Sequence, residues 1–143
     1  MQKFRLRQEI HKPVEQVYRL FTDREKMILW QPGLLENEAL QNKDGVKRYK
    51  LVYRIGNRSM VMTETILKDV FPGYDVEYRL KGIVNTVNNV FTANGPDKTI
   101  WISDNEFRFR WLMKLVGVFM KKGLENQAKI IMKNFKNFAE KSK

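Results

Sequence analysis

The chain has 143 residues, a formal net charge of +11, no cysteine and one histidine. The lack of cysteine excludes disulfides, thiolate nucleophiles and cysteine-based metal sites, and it fits a reducing cytoplasm. Because His11 is the only histidine, multi-histidine zinc sites are excluded and a Ser-His-Asp arrangement would depend on this residue alone. Length and composition predict one domain over 1–143, located in the cytoplasm, with neither a signal peptide nor a membrane span.

The first elements are predicted to be one strand and two short helices. Apolar and mostly charged residues alternate over 3–10, which indicates a half-buried strand. Pro13 ends the strand and suits the first turn of a short amphipathic helix. Thr22 and Glu25 have the spacing of a capping box, so a second short helix should begin there and end before Pro32.

The middle of the chain is predicted to be a meander of strands. Turn-forming glycine, asparagine, aspartate and proline residues separate its runs of alternating apolar and polar residues. The six predicted strands lie at about 34–41, 46–55, 58–68, 74–81, 84–93 and 98–109.

One hairpin of the meander has a predictable register. Gly56 and Asn57 fit a two-residue type II′ turn, so Ile55 should pair with Arg58. Counting along both strands then places three pairs on one face: Tyr53 with Met60, Leu51 with Met62, and Tyr49 with Glu64. A single carboxylate is therefore expected among tyrosine and methionine side chains.

The last hairpin has two alternative registers. A four-residue loop places Ile100 and Ile102 on the face that carries Phe91, whereas a five-residue loop places Trp101 there. Aromatic side chains gain most from burial, so the five-residue loop is the prediction. It turns Asn89 inward together with Trp101, Phe107 and Phe109.

The C-terminal stretch, about 122–141, predicts a long amphipathic helix. Its apolar face has helical spacing and consists of Leu124, Ala128, Ile131, Phe135 and Phe138. Gly123 is predicted to break the helix, because glycine is a poor interior helix residue. The apolar segment 111–120 would then be a lid over a pocket, an ordinary buried helix turn, or an element that touches a membrane.

The opposite face of this helix carries Lys129, Lys133 and Lys136. Such a stripe could make transient contact with an anionic surface, although a solvated face is the favoured interpretation. Nucleic acid is not an expected partner, because no recognised nucleic-acid motif accompanies the charge.

The chain resembles the SRPBCC superfamily, which is START-related and polyketide-cyclase-like. The resemblance covers the whole chain and is greatest to small stand-alone bacterial members. It rests on the element order and on four segments: 30–33 (WQPG), 62–66 (MTETI), 101–103 (WIS) and 105–107 (NEF). It implies an α+β helix-grip fold, in which a seven-stranded curved antiparallel sheet wraps around a long C-terminal helix and two short helices lie between strands 1 and 2. It also implies a hydrophobic cavity, which in relatives holds lipids, sterols, polyketides, quinones or plant hormones.

The inward-facing residues define a candidate ligand-binding site with apolar walls and few polar groups. It comprises Trp30, Tyr49, Leu51, Tyr53, Met60, Met62, Glu64, Tyr78, Asn89, Trp101, Phe107, Phe119, Leu124, Ala128 and Ile131. Glu64 is its most informative member. A buried carboxylate must pair with an arginine such as Arg79, bond a tyrosine hydroxyl, or become protonated.

Three functions are compatible with this pattern. The leading hypothesis is a carrier or sensor of a hydrophobic or amphipathic small molecule. The first alternative is a cyclase- or hydratase-type enzyme with Glu64 as general acid or base beside Tyr49 or Tyr53. The second alternative is an interaction module that uses the basic helix. The protein is expected to be a monomer or a dimer, whichever function it has. No cofactor is expected, and no metal site either, since Glu36 and Glu38 lack a third ligand.

Overall fold

The computed structural model describes residues 2–42, 44–110 and 114–143, and gives the backbone alone for residue 55 and residues 114–121. The helices are α1 (Val14–Thr22), α2 (Met27–Trp30) and α3 (Lys114–Lys141), with a short 3-10 turn at Arg24–Lys26. The strands are β1 (Gln2–Ile10), β2 (Leu34–Ala39), β3 (Arg48–Ile55), β4 (Arg58–Val70), β5 (Gly73–Leu80), β6 (Ile83–Ala93) and β7 (Thr99–Phe109).

The seven strands form one curved antiparallel sheet in the order β1-β7-β6-β5-β4-β3-β2. The predicted meander is therefore correct, and the first strand closes the sheet against the last. The predicted α+β helix-grip architecture is confirmed, including the short helices between the first two strands and the long C-terminal helix. No helix in the described part of the chain is long and apolar enough to cross a membrane.

Both predicted hairpin registers are confirmed. Gly56 has a φ of 60°, as a type II′ turn requires, and Tyr49 lies opposite Glu64. In the last hairpin Ala93 pairs with Thr99, which leaves a five-residue loop. Trp101 accordingly faces inward and is 3% exposed. These registers decide which side chains face α3.

The predicted helix break at Gly123 is wrong. One helix runs from Lys114 to Lys141 without interruption, and Gly123 is exposed within it. An interior glycine costs about 1 kcal/mol relative to alanine, which the rest of a long packed helix readily offsets. Residues 111–113 lie outside the described residues, and the side chains of 114–121 are not described. The choice for 111–120 between a lid, a buried helix turn and a membrane-touching element therefore stays a prediction.

The predicted capping box is also wrong. Asp23 takes the capping role, because its Oδ1 accepts a hydrogen bond from the Glu25 N–H at 3.2 Å. Thr22 still belongs to α1, and its hydroxyl donates to the Tyr18 carbonyl at 2.9 Å. The turn therefore begins one residue later than expected, and this places Arg24 at its start.

An aromatic cluster fills the space between the sheet and the C-terminal half of α3. Phe21 of α1 is at its centre, with ring centroids 5.0 to 5.5 Å from those of Trp30, Phe91, Trp101 and Phe135. Phe91 and Phe135 are almost completely buried. This part of the sheet–helix space is packed core, so any open space between the sheet and α3 must lie elsewhere along the sheet.

Candidate ligand-binding site

Four polar side chains form a row across the inner face of the sheet. The strand register places Asn85 on β6 beside Tyr78 on β5, Tyr78 beside Glu64 on β4, and Glu64 beside Tyr49 on β3. Directly paired inner-face residues have Cβ atoms about 4.5 to 5.5 Å apart. The chain thus builds a polar row, defined here as Asn85, Tyr78, Glu64 and Tyr49, within a largely apolar surface.

Glu64 is the buried charge of this row and pairs with Arg24. Glu64 is only 2% exposed, and its Oε1 lies 2.6 Å from Arg24 Nη2. The prediction of Arg79 as partner is wrong, because Arg79 points to the outer face and binds Glu77 at 2.6 Å. Successive side chains on a strand face opposite sides, so Arg79, next to inward-facing Tyr78, could not reach the interior.

Besides Glu64, two residues contact the Arg24 guanidinium. Its guanidinium carbon lies 3.4 Å from the centroid of the Tyr49 ring, in a cation–π arrangement. Its Nη2 also donates to Asn37 Oδ1 at 2.7 Å. The positive charge that compensates Glu64 is therefore fixed by an aromatic face and an amide.

A cavity of about 20 Å³ lies beside this ion pair. Its walls include Arg24, Trp30, Gln31, Glu64, Tyr74 and Tyr78. That volume suffices for about one oxygen-sized group, since roughly 10 to 15 Å³ of such space holds a water molecule. The site is thus a small polar recess rather than a large chamber.

Three of the residues that line the recess carry unsatisfied polar atoms. Among the described residues, Arg24 Nε, Trp30 Nε1 and Glu64 Oε1 are buried and have no hydrogen-bond partner. Glu64 Oε1 is close enough to Arg24 Nη2 for an ion pair, but the approach lacks the alignment of a hydrogen bond. Asn85 Oδ1, also in the polar row, is unsatisfied in the same way.

The tyrosines around Glu64 are neutral hydrogen-bonding groups. Burial raises the pKa of Tyr53, Tyr74 and Tyr78, and the negative charge of Glu64 raises each pKa further. At neutral pH they therefore keep their protons and donate. Tyr53 already uses its hydroxyl proton in a hydrogen bond to Gln31 Oε1.

A second, open cleft lies on the outer side of Arg24. Its volume is about 290 Å³. The 3-10 turn and α2 form one wall, and β2 and β3 form the other. Tyr49, Leu34 and Asn37 contribute to its walls. Arg24 lines both this cleft and the recess, so both spaces border the same residue.

The structure divides the predicted site residues into several groups. Trp30, Glu64 and Tyr78 line the recess, and Tyr49 lies under Arg24. Packed in or against the core are Leu51, Tyr53, Met62, Trp101, Ala128 and Ile131. Met60 and Leu124 are half-buried, Phe107 is buried and stacks on Phe4, and the Phe119 side chain is not described. A ligand contact by any of them stays a prediction.

Asn89 has its amide group engaged within the protein. Its Oδ1 accepts from Trp101 Nε1 at 2.9 Å, and its Nδ2 donates to the Tyr74 carbonyl at 3.0 Å. These bonds connect three adjacent strands in the buried interior. Asn89 therefore positions Trp101, and this role explains a polar residue at that point without a ligand.

The basic stripe on α3 is only partly exposed. Lys129 and Lys133 are exposed, whereas Lys136 Nζ donates to the Glu9 carbonyl at 2.8 Å and to Glu140 Oε2 at 2.7 Å. Lys136 therefore connects α3 to β1. Contact with an anionic surface stays a prediction for the stripe.

Sequence reasoning missed Arg24, Gln31 and Tyr74. Gln31 lies in the 30–33 segment that supported the family resemblance, and a buried polar residue there was a usable signal. Tyr74 is the second residue of β5 and is in phase with inward-facing Tyr78. Arg24 gave no signal, because a short 3-10 turn does not reveal which way its side chains point.

The comparisons with known proteins are informative about the fold. No family model matches the sequence, and the curated proteins include no match either. Among solved structures, a START superfamily protein from Mycobacterium smegmatis matches with a TM-score of 0.80 and 15% identity, covering 96% of this chain and 97% of its own. The Zhui aromatase/cyclase from Streptomyces sp. R1128 matches with a TM-score of 0.81 and 11% identity, covering 97% and 93%.

A truncated norcoclaurine synthase from Thalictrum flavum matches with a TM-score of 0.75 and 11% identity, covering 99% of this chain and 95% of its own. These similarities span nearly the whole chain at identities that establish the fold alone. The chain is therefore a helix-grip protein that shares its fold with START-superfamily proteins and aromatase/cyclases, as the resemblance to the SRPBCC superfamily predicted.

Proposed function

We propose that this protein binds a hydrophobic or amphipathic small molecule between the sheet and α3, with a polar group of the ligand at the recess. One observation carries the proposal: three residues with unsatisfied buried polar atoms line the same small cavity. Such atoms cost free energy in a folded protein unless something meets them, and each requires an explanation, such as a functional role or a bound water or ion. A ligand group in the recess would meet them.

The surface next to the polar row suits the apolar part of such a ligand. Towards the β3–β4 turn, the inner face carries half-buried Met62, Leu80, Ile83 and Phe109. Apolar walls with a few polar groups at one end are typical of small-molecule sites. Methionine side chains on this surface adapt to different ligand shapes, so the site can accept more than one apolar skeleton.

An enzyme of the cyclase or hydratase type is the second candidate. Glu64 offers a carboxylate oxygen, and Tyr78 beside it keeps its proton because burial raises its pKa. A base and a proton donor in one apolar site are the requirement for acid–base chemistry on an enolisable substrate. Tyr78 suits the donor role better than Tyr53, whose proton is engaged with Gln31.

Native mass spectrometry of gently purified protein, followed by denaturation of the same sample, tests the binding proposal. We expect a discrete small-molecule mass that is released on denaturation. Titration with the environment-sensitive dye anilinonaphthalene sulfonate should also saturate. An apo mass from several expression hosts, together with no saturable dye binding, would overturn the proposal.

The variant Glu64→Gln separates carrier from enzyme. With a captured compound in hand, an enzyme should lose its turnover in Glu64→Gln, whereas a carrier should change only its affinity. Glu106→Gln is the matched control, because Glu106 pairs with Arg108 at 3.2 Å on the outer face of β7. It removes the same charge from an arginine pair, away from the recess.

A further inference from the structure

Among the described residues that line the recess, two donors and one acceptor are unsatisfied. Arg24 Nε and Trp30 Nε1 can only donate hydrogen bonds, while Glu64 Oε1 can accept one. From this set we infer that the ligand's polar group is a neutral hydroxyl, as in an alcohol, a phenol or an enol; the inference rests on the proposed function. A hydroxyl oxygen accepts from both N–H groups through its two lone pairs and donates its proton to the carboxylate.

The volume of the recess agrees with a single oxygen atom. About 20 Å³ accommodates one group of that size. A carboxylate, sulfonate or phosphate has two or more oxygens on a central atom and requires more room. The size of the recess therefore selects against the larger anionic head groups.

Charge balance also disfavours an ionic head group. Arg24 and Glu64 already compensate each other at 2.6 Å. A carboxylate would add an uncompensated negative charge beside Glu64, and an ammonium would add an uncompensated positive charge beside Arg24. A neutral group avoids both costs.

Hydrogen-bonding capacity distinguishes a hydroxyl from a carbonyl. A ketone or ester oxygen could accept from Arg24 and Trp30 but has no proton of its own to donate to Glu64 Oε1. Asn85 Oδ1, in the same polar row, is a further unsatisfied acceptor. The row as a whole therefore favours a ligand that can donate.

The experiment compares three probes with the same decyl chain: 1-decanol, decanoate and decylammonium. Each displaces anilinonaphthalene sulfonate from the protein at an ionic strength that screens the surface. We expect 1-decanol to bind about tenfold or more tightly than either ion, because each ion leaves buried groups unpaired. The net charge of +11 opposes this order, since it attracts the anion.

The variant Glu64→Gln should narrow the difference in affinity between the first two probes. Without the carboxylate, the charge of Arg24 is uncompensated, so decanoate should gain affinity relative to 1-decanol, although the size of the recess still opposes its head group. Trp30→Phe removes one donor and should weaken 1-decanol several-fold, while Glu106→Gln should keep the wild-type order. If Glu64→Gln does not fold, as judged by circular dichroism, the wild-type order and Trp30→Phe decide the question.

The possible failures are distinguishable. Equal binding of all three probes by wild type, unchanged in Trp30→Phe, would overturn the hydroxyl inference and indicate that water satisfies the recess. The proposed function would survive that result. If neither the dye nor any of the three probes binds saturably, both the hydroxyl inference and the proposed function are overturned.

Discussion

Arg24 and Glu64 form an ion pair, with Nη2 2.6 Å from Oε1, that joins the 3-10 turn to the middle of the sheet. The arginine side chain is 20% exposed and the glutamate side chain 3%. Taking two charges out of water is costly, and removing one partner leaves the other buried without compensation. The pair therefore makes the folding of this region and the chemistry of the recess depend on the same two residues.

Arg24→Met should lower the free energy of unfolding by about 3 kcal/mol, because the Glu64 charge is then buried alone. The double variant Arg24→Met with Glu64→Leu should recover much of this loss, since no charge remains. Urea unfolding of the single and the double variant measures both changes in the free energy of unfolding. Arg79→Met is the control, because Arg79 belongs to an exposed ion pair, and it should cost about 1 kcal/mol or less. Equal decreases in the free energy of unfolding for Arg24→Met and Arg79→Met would contradict the assignment of Arg24 and Glu64 as a buried ion pair.

The sequence specifies the position of Glu64 better than its partner. Gly56 and Asn57 determine the turn, the turn determines the register, and the register turns Glu64 inward beside Tyr49. All these relations are local along one hairpin. Arg24 reaches Glu64 only through the packing of the 3-10 turn on the sheet, and that packing has no period or spacing in the sequence.

The size of the site was unpredictable for a similar reason. Alternation along the strands identifies the inner-face residues, and Trp101 was correctly placed among them. How much space remains depends on side chains from α1 and α2. Phe21 and Trp30 fill the region next to Phe135, and a small recess beside Glu64 remains where the hydrophobic cavity was expected.

Gly123 offers a test of the continuous helix. The residue is exposed inside α3, and a Cβ atom built there meets nothing within 4 Å. Gly123→Ala should therefore raise the free energy of unfolding by about 0.5 to 1 kcal/mol. A helix broken at this residue would predict no gain or a loss.

Gly33→Ala is the contrasting control for this measurement. Gly33 has a φ of 87°, and a Cβ atom would lie 2.7 Å from the Arg54 carbonyl oxygen. The same substitution should here lower the free energy of unfolding by more than 1 kcal/mol. Thermal and urea unfolding of the two variants should give effects of opposite sign.

The buried tyrosines predict an alkaline transition. The pKa values of Tyr53, Tyr74 and Tyr78 are raised by burial and then by Glu64, so folding favours their neutral forms. Their contribution to stability is complete below the ordinary tyrosine pKa near 10 and is lost as pH rises towards the folded values. The free energy of unfolding should therefore decrease above about pH 10.

Ultraviolet absorbance measures the ionisation of the tyrosine side chains directly. At about pH 11, the folded protein should contain fewer ionised tyrosines than the protein in concentrated urea. Ionisation of all five tyrosines in the still-folded protein, at the pH where they ionise in urea, would contradict the raised pKa values.

Glu140, near the end of α3, is hydrogen-bonded to His11, which follows β1. Its Oε2 accepts from the His11 N–H at 2.8 Å and from Lys136 Nζ at 2.7 Å. Burial by itself would raise the pKa of Glu140, but the hydrogen bonds from Lys136 and His11 and their charges outweigh it and lower the pKa below 4.5. A lowered pKa means a contribution that is present above pH 4.5 and is lost as pH falls through the folded value.

Glu140→Gln should lower the free energy of unfolding at neutral pH by about 1 kcal/mol, because it weakens two charge-assisted hydrogen bonds. The difference from wild type should shrink as pH falls below 4.5, where the wild-type carboxyl group also becomes neutral. Glu125→Gln, on the same helix and with no side-chain hydrogen bond among the described residues, should have little effect at either pH. A Glu140→Gln deficit that stays constant at low pH would show that packing, rather than the charged hydrogen bonds, holds α3 against β1.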